Sequence, residues 1–176
     1  MKLKKFNYQK VNSTNDIAIK KIKKGINEGI IVAEEQMKGR GQFGKKWISF
    51  KGNLFLSIFF QIRNKILFKK ITDLNCSIIK KILTNITNKK IIVKLPNDLL
   101  INKKKICGIL QEIIMNNDKK FIIIGIGINL IRSPKIKNYP TTNIYKETGK
   151  KINKSNLLKH IKLNYEKKFK RFALRG

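Results

Sequence analysis

The chain is 176 residues long, a length that suits one domain with its own hydrophobic core. Its hydrophobic content is 41% and is spread along the whole chain, which excludes global disorder, and it contains no apolar run long enough to cross a membrane as a helix. The net charge is +31, but lysines fall on nearly every predicted element, whereas a dedicated nucleic-acid binder concentrates its charge on one face.

The N-terminal residues lack the apolar stretch of a secretory signal, and Cys76 and Cys107 lack the spacing of metal ligands, so we expect reduced thiols and a cytoplasmic location.

The run Ser-Thr-Asn-Asp at 13–16 predicts the start of a helix, because hydroxyl and amide side chains cap free N–H groups. Buried strands are then predicted at 29–33 and 53–62. A helix is predicted at 73–88.

Further along, strands are predicted at 91–94, 99–101, 105–115 and 121–129, with tight turns at 102–104 and 116–118. Glycine alternates with isoleucine near the end of the last strand, which suggests a face where a ligand lies against the backbone. Residues 133–151 are predicted to be a loop, and Ser155 to cap a last helix. The sum is an α+β domain with a mixed, largely antiparallel sheet and helices packed on one side.

The run Gly-Arg-Gly-Gln-Phe-Gly-Lys-Lys-Trp at 39–47 is the strongest chemical signal. Its glycines allow backbone N–H groups to approach a ligand closely. Arg40, Lys45 and Lys46 supply charge for a phosphate or carboxylate, and Trp47 offers a flat surface to an aromatic base. By itself the run is also typical of a solvated basic loop.

Three other segments carry candidate groups. The sequence Lys-Leu-Pro-Asn-Asp at 94–98 puts two polar side chains after a proline, although an ordinary turn has the same pattern. Lys105 begins an apolar strand and has a glycine three residues later, which would also suit a hairpin-edge charge. The sequence Gly-Ile-Gly-Ile-Asn at 125–129 lacks the third glycine and the following helix of a dinucleotide-binding fingerprint.

Together with Ser13-Thr14-Asn15, these segments resemble the motifs of the biotin protein ligases, in the same order along the chain. The resemblance implies the catalytic domain of that family, with a fold like that of class II aminoacyl-tRNA synthetases. It implies a two-step reaction, in which biotin and ATP give biotinyl-5′-AMP and pyrophosphate. The biotin is then transferred to one lysine of a biotin carboxyl-carrier protein, the subunit of acetyl-CoA carboxylase.

The resemblance also implies roles for individual residues. The implied catalytic residues are Arg40, Lys105 and Asp98. The implied biotin-binding residues are Ser13, Thr14, Asn15, Gln36, Gly39, Arg40, Lys105, Gly108, Gly125 and Gly127. The implied ATP-binding residues are Arg40, Lys45, Trp47, Asn97, Lys105 and Asn129. Mg²⁺ is expected to arrive with the nucleotide, since the sequence shows no all-protein metal cage.

The chain departs from the family pattern at Gln42, where a second arginine is usual, and this substitution predicts a looser hold on the adenylate. We expect one domain over 1–176, with neither a DNA-binding helix-turn-helix domain before it nor a small β-barrel-like module after it. A homodimer is possible, and no membrane partner is expected. The alternatives are a lipoate-protein ligase, whose Arg-Arg-x-x-Gly-Gly-Gly run is not found, and a non-catalytic, basic nucleic-acid-binding protein.

Overall fold

The structure is a computed structural model, which describes residues 2–62 and 68–170. Within these residues the chain forms seven strands, namely β1 (Lys5–Val11), β2 (Glu28–Gln36), β3 (Leu54–Ile62), β4 (Ile92–Lys94), β5 (Asp98–Ile101), β6 (Lys104–Asn116) and β7 (Lys119–Ile128). The α-helices of the same part of the chain are α1 (Thr14–Lys23), α2 (Phe68–Thr87), α3 (Ile144–Thr148) and α4 (Lys154–Phe169).

All of these strands belong to one open sheet with the order β1-β2-β3-β7-β6-β5-β4. The pair β1–β2 is parallel, and the other neighbouring pairs are antiparallel. The α+β class and the mixed, largely antiparallel sheet predicted from the sequence are therefore confirmed.

Helices cover both faces of the sheet. Successive side chains of a strand point to opposite faces, so Ile30 packs in the larger core with residues of α2 and α4, while Ile31 packs with Ala18 and Ile22 of α1. The expectation of helices on one side holds for α2 and α4 and is wrong for α1. Because the central strands are buried on both faces, β3 has a nearly continuous apolar sequence rather than an alternating one.

The edge strand β1 was not predicted from the sequence. It carries lysines, Asn7 and Gln9 around only two aromatic residues and one valine, and most of its side chains are exposed or half-buried. Its register against β2 pairs Phe6 with Ile31. Such a strand is recognised by its pairing with β2, because its own residues bury little apolar surface.

Two tight turns hold β5, β6 and β7 in register, as the sequence predicts. Asn102 and Lys103 have φ of 48° and 62°, and Asn117 and Asp118 have φ of 47° and 58°. Positive φ at both central residues is the requirement of a type I′ hairpin turn. The pairing that results sets Gly108 opposite both Asp98 on β5 and a glycine on β7.

The helix ends differ in detail from the sequence-based expectation. The side chain of Asn153, not Ser155, caps α4, accepting a hydrogen bond from the N–H of Asn156 at 3.0 Å. Ser13 occupies the N-cap position of α1 but makes no side-chain capping bond. The short helix α3 lies inside the segment predicted to be a loop.

The two cysteines are buried and unpaired, as predicted. Burial raises the pKa of the Cys76 thiol to about 11, with smaller contributions from Asp73 and Asp98. Burial also raises the pKa of Cys107 well above its usual value. Among the helices of the described residues, none is long and apolar enough to span a membrane.

Candidate active site

A cavity of about 540 Å³ opens on the face of the sheet that α1 covers, within the size range of small-ligand sites. It is lined by every residue that the sequence analysis singled out for binding or catalysis except Gly39. These lining residues are Ser13, Thr14, Asn15, Gln36, Arg40, Lys45, Trp47, Asn97, Asp98, Lys105, Gly108, Gly125, Gly127 and Asn129. The strands thus bring together five motifs that are far apart in the sequence.

Glycines form the floor of this cavity. Gly108 and Gly127 are directly paired on β6 and β7. A Cβ atom at Gly127 would lie 2.4 Å from Cε2 of Trp47, and one at Gly108 would lie 2.7 Å from Cζ3 of the same ring. A Cβ at Gly125 would lie 2.5 Å from Oδ1 of Asn15. The glycine face expected to receive a ligand therefore also seats the indole of Trp47 and the amide of Asn15.

The glycine loop, residues 39–47, folds over this floor as a small hairpin. The N–H of Gly41 donates to the carbonyl of Lys45 at 2.6 Å, and that of Trp47 donates to the carbonyl of Gly39 at 2.8 Å. A Cβ at Gly39 would approach the carbonyl oxygen of Trp47 to 2.4 Å, so the two ends of the loop are packed closely together. Phe43, at the tip, is 89% exposed.

Trp47 presents one unpaired polar atom. Its Nε1 is buried and has no hydrogen-bond partner among the described residues. A buried indole N–H normally finds an acceptor. This donor therefore lacks an acceptor among the described residues.

A polar network closes the end of the cavity beside α1. Oε1 of Gln36 accepts from the N–H of Thr14 at 2.8 Å and from its hydroxyl at 3.0 Å. The buried hydroxyl of Ser57 lies 2.7 Å from the Thr14 hydroxyl and also contacts Oδ1 of Asn15. Gln36 in turn donates to Ser49 at 3.1 Å. These contacts fix the rotamers of the side chains predicted to hold biotin.

Arg40 is held by two carboxylates. Its Nη1 and Nη2 contact the two oxygens of Glu112 at 2.8 and 2.9 Å, and Nη2 also lies 2.9 Å from Oδ1 of Asp16. Nδ2 of Asn15 donates to Glu112 at 2.6 Å. Glu112 therefore joins the glycine loop to the start of α1. The guanidinium has five N–H donors, of which these contacts use three.

Lys105 and Asp98 form an ion pair on the wall that β5 and β6 supply. Their Nζ and Oδ1 atoms are 2.7 Å apart, and the two side chains are largely buried. The hydroxyl of Tyr139 donates to Oδ2 of Asp98 at 2.5 Å. Burial, together with the hydrogen bond to this carboxylate and its charge, raises the pKa of Tyr139. Nζ of Lys105 also lies 5.2 Å from the centre of the Trp47 ring.

The remaining candidates differ in how many of their polar atoms are already hydrogen-bonded within the protein. Asn97 is bonded to β6, since its Nδ2 donates to the carbonyl of Ile109 at 2.8 Å. Asn129 donates to the carbonyl of Thr142 at 3.1 Å, but its buried Oδ1 has no hydrogen-bond partner among the described residues. Lys45 is exposed at the mouth of the cavity.

Asp16, Ser57, Glu112 and Tyr139 contact the predicted site residues and are not identified from the sequence. The segment 134–141, which supplies part of the cavity lining, is not identified either. Glu112 could have been found, because it follows Gly108 by four positions on one strand and so lies on the same face. Ser57 could have been found as the one hydroxyl in an apolar strand. Tyr139 gave no signal, because its partner Asp98 is 41 residues away in the sequence.

Fold and site together define an α+β ligand-binding domain, with a basic, glycine-floored cavity suited to an anionic substrate next to an aromatic one. The chain belongs to the Biotin/lipoate A/B protein ligase family, whose model matches residues 7–129. This finding confirms the resemblance seen in the sequence.

The relatives agree with this assignment. A "Bifunctional ligase/repressor BirA" from Bacillus subtilis is 32% identical over 158 residues, which cover 84% of this chain and 47% of that protein. The structure "Biotin protein ligase from Aquifex aeolicus in complex with biotin and ATP" matches with a TM-score of 0.80 and 27% identity, over 97% of this chain and 73% of that one. The chain spans about half the length of the curated relatives it matches.

A lipoate-bound relative is more distant. The structure "P. falciparum LipL1 in complex lipoate" matches with a TM-score of 0.61 and 16% identity, over 97% of this chain and 62% of that one. Identity this low shows that the fold is shared and nothing more.

Proposed function

We propose that this chain joins biotin to ATP to form biotinyl-5′-AMP and then transfers the biotinyl group to one lysine of a biotin carboxyl-carrier protein. The observation that carries the proposal is the single cavity in which the predicted biotin-binding and ATP-binding residues meet. The relative named as a ligase, and the structural match to a biotin protein ligase in complex with biotin and ATP, support it.

In the first step a carboxylate oxygen of biotin attacks the α-phosphorus of ATP, and the bond to the β-phosphate breaks to release pyrophosphate. Both reactants are anions, so the protein's task is to hold them together and to stabilise the charge that builds on the α-phosphoryl group. Lys105 is suited to this task because its ammonium is fixed by Asp98 beside the glycine floor. Arg40 keeps N–H donors beyond those used by Asp16 and Glu112.

The two ends of the cavity suit the two substrates. The network of Thr14, Asn15 and Gln36 offers fixed donors and acceptors for the polar ring of biotin. At the other end, the free Nε1 of Trp47 and Oδ1 of Asn129 are a donor and an acceptor matched to an adenine edge. Lys45 is an exposed cation in the cavity lining and is suited to the outer phosphates.

In the second step the amine of the carrier lysine attacks the carbonyl carbon of the mixed anhydride, giving an amide and releasing AMP. Neither step requires a nucleophile from the protein. We assign to Asp98 the task of orienting or deprotonating the incoming amine, for which it must first exchange its contact with Lys105.

Mg²⁺ would be held chiefly by the phosphates and water. In the described residues no group of three or more metal-ligating side chains is found, and Asp16, Glu112 and Asp98 already face cations. A metal ion that enters with ATP fits this arrangement, because Mg²⁺ usually keeps several waters and few protein ligands.

The unpaired thiols suit a reducing compartment, and we include the cytoplasm in the proposal.

The test mixes the purified chain with ATP and Mg²⁺, adds biotin, lipoate or neither, and follows pyrophosphate release. We expect release only with biotin, and Lys105→Ala should lower its rate at least about a hundredfold while biotin binding stays within about threefold. Lys104→Ala is the matched control, since Lys104 is an exposed neighbour that does not line the cavity.

Each outcome separates the alternatives. Release that depends on lipoate would replace biotin by lipoate as the substrate. Absence of release with both acids would overturn the proposal and leave a non-catalytic protein. Normal release from Lys105→Ala would remove Lys105 from its role but keep the reaction.

A further inference from the structure

Tyr139 belongs to the segment that follows β7 and returns along the start of β6. The N–H of Lys105 donates to the carbonyl of Pro140, and the N–H of Thr142 donates to the carbonyl of Lys105, both at 2.9 Å. Lys105 and Thr141 form an isolated parallel bridge. The backbone on which Lys105 sits is thus held by the residues next to Tyr139.

The side chain of Tyr139 contacts Asp98, the carboxylate that is paired with Lys105. Its hydroxyl donates to Oδ2 of Asp98 at 2.5 Å, and Oδ1 of that carboxylate contacts Nζ of Lys105 at 2.7 Å. The Tyr139 ring also has Nζ of Lys94 4.4 Å and Nζ of Lys105 5.5 Å from its centre. Oδ2 of Asp98 is therefore hydrogen-bonded to Tyr139, whereas Oδ1 is ion-paired with Lys105 and makes no hydrogen bond among the described residues. Two different partners thus act on the orientation of the carboxylate.

We propose that Tyr139 is a positioning residue, whose hydroxyl fixes Asp98 so that this carboxylate holds the ammonium of Lys105 in place for adenylate formation. The inference rests on the proposed function. A carboxylate that is bonded at one oxygen only can turn about its Cβ–Cγ bond, and the ammonium moves with it. A displacement of this kind costs rate, because the stabilising charge must already be in position when the transition state forms.

The phenol ring and its hydroxyl can be tested separately. Tyr139→Phe keeps the ring beside Lys94 and Lys105 and removes only the hydroxyl. Tyr145→Phe is the matched control, since Tyr145 is 44% exposed and lies outside the cavity lining. Two measurements are made on each variant: the rate at which an acylating reagent modifies Lys105, read by peptide mass spectrometry, and the kcat and KM of biotin-dependent pyrophosphate exchange.

In Tyr139→Phe we expect Lys105 to be acylated several-fold faster and kcat to fall about tenfold, with KM for biotin changed by less than about twofold. Tyr145→Phe should match the wild type in both measurements. Unchanged acylation of Lys105 would overturn the proposal, whatever the activity. Faster acylation with an unchanged kcat would also overturn it, because the contact would then have no part in the reaction. Absence of exchange in the wild type would instead be a failure of the proposed function, and the inference would fall with it.

Discussion

The two cations assigned to the reacting groups, Arg40 and Lys105, have carboxylate neighbours. Arg40 lies between Glu112 and Asp16, and Lys105 lies beside Asp98. An unpaired cation in such a pocket would be free to move. A paired cation keeps a fixed position, but the carboxylate offsets part of its positive potential. An incoming phosphate or carboxylate must therefore compete with these acids, and the acids determine how the empty site is organised.

Glu112 offers the sharpest test of this organisation. Its carboxylate accepts from both terminal nitrogens of Arg40 and from Asn15, so in Glu112→Gln an NH₂ group would face at least one of these donors. The side chains of Arg40 and Glu112 are 39% and 24% exposed, so the loss of global stability should be about 1 kcal/mol or less. Opening of the glycine loop should become easier, and its amides at 39–47 should exchange with deuterium roughly tenfold faster.

Hydrogen exchange read by mass spectrometry measures this effect without any ligand. Glu34→Gln is the control, because Glu34 pairs with Lys154 at 2.5 Å and does not line the cavity. Equal exchange at 39–47 in wild type and Glu112→Gln would show that Glu112 does not anchor the loop.

At the scale of elements, the site depends on β6, β7 and the glycine loop fitting together. The two strands supply a floor without side chains at Gly108 and Gly127, and the loop supplies the indole that lies on it. The loop is the weaker partner, since its tip is exposed while the strands are paired on both sides. A change in the floor should therefore move the loop before it moves the sheet.

Gly127→Ala tests the fit between loop and floor. The new methyl would lie 2.4–2.7 Å from atoms of the Trp47 ring, which cannot be accommodated without displacing the indole. Since Trp47 is the only tryptophan, its fluorescence reports this displacement, and we expect emission shifted to the red. The free energy of unfolding should fall by about 1–3 kcal/mol. Ile128→Val, one residue along on the opposite face of β7, should leave the emission unchanged, and unchanged emission in Gly127→Ala would contradict the fit.

The sequence predicted most of this arrangement, and its failures at β1, Glu112 and Tyr139 have a common physical cause. Motifs such as the run at 39–47 are local, and the turns at 102–104 and 116–118 follow from local backbone preferences. What the sequence did not yield depends on pairing over long distances. The strand β1 is defined by its bonds to β2, and Glu112 and Tyr139 matter through partners that are 72 and 41 residues away.

At the scale of the whole molecule, the charge of +31 is the feature that the site does not explain. The chain has 41 basic residues and 10 acidic ones, and half of the acids already take part in ion pairs among the described residues, namely Asp16, Glu34, Asp98, Glu112 and Glu166. The excess positive charge is therefore largely uncompensated. Charge of this kind attracts polyanions without reading their sequence.

We accordingly expect the protein to bind duplex DNA weakly, without sequence preference and with a steep dependence on salt. If six or more phosphates are contacted, the affinity should fall about a thousandfold or more between 50 and 200 mM salt, because each contact releases a condensed counterion. Biotin carries one charge and, under the proposed function, binds inside the cavity, so its affinity should change by less than about threefold over the same range. Fluorescence anisotropy with two duplexes of unrelated sequence, beside a biotin titration in the same buffers, measures both. A preference for one duplex that persists at 200 mM salt would contradict this expectation and would point to a specific nucleic-acid partner. Contacts with base edges distinguish one sequence from another, whereas contacts with phosphates do not.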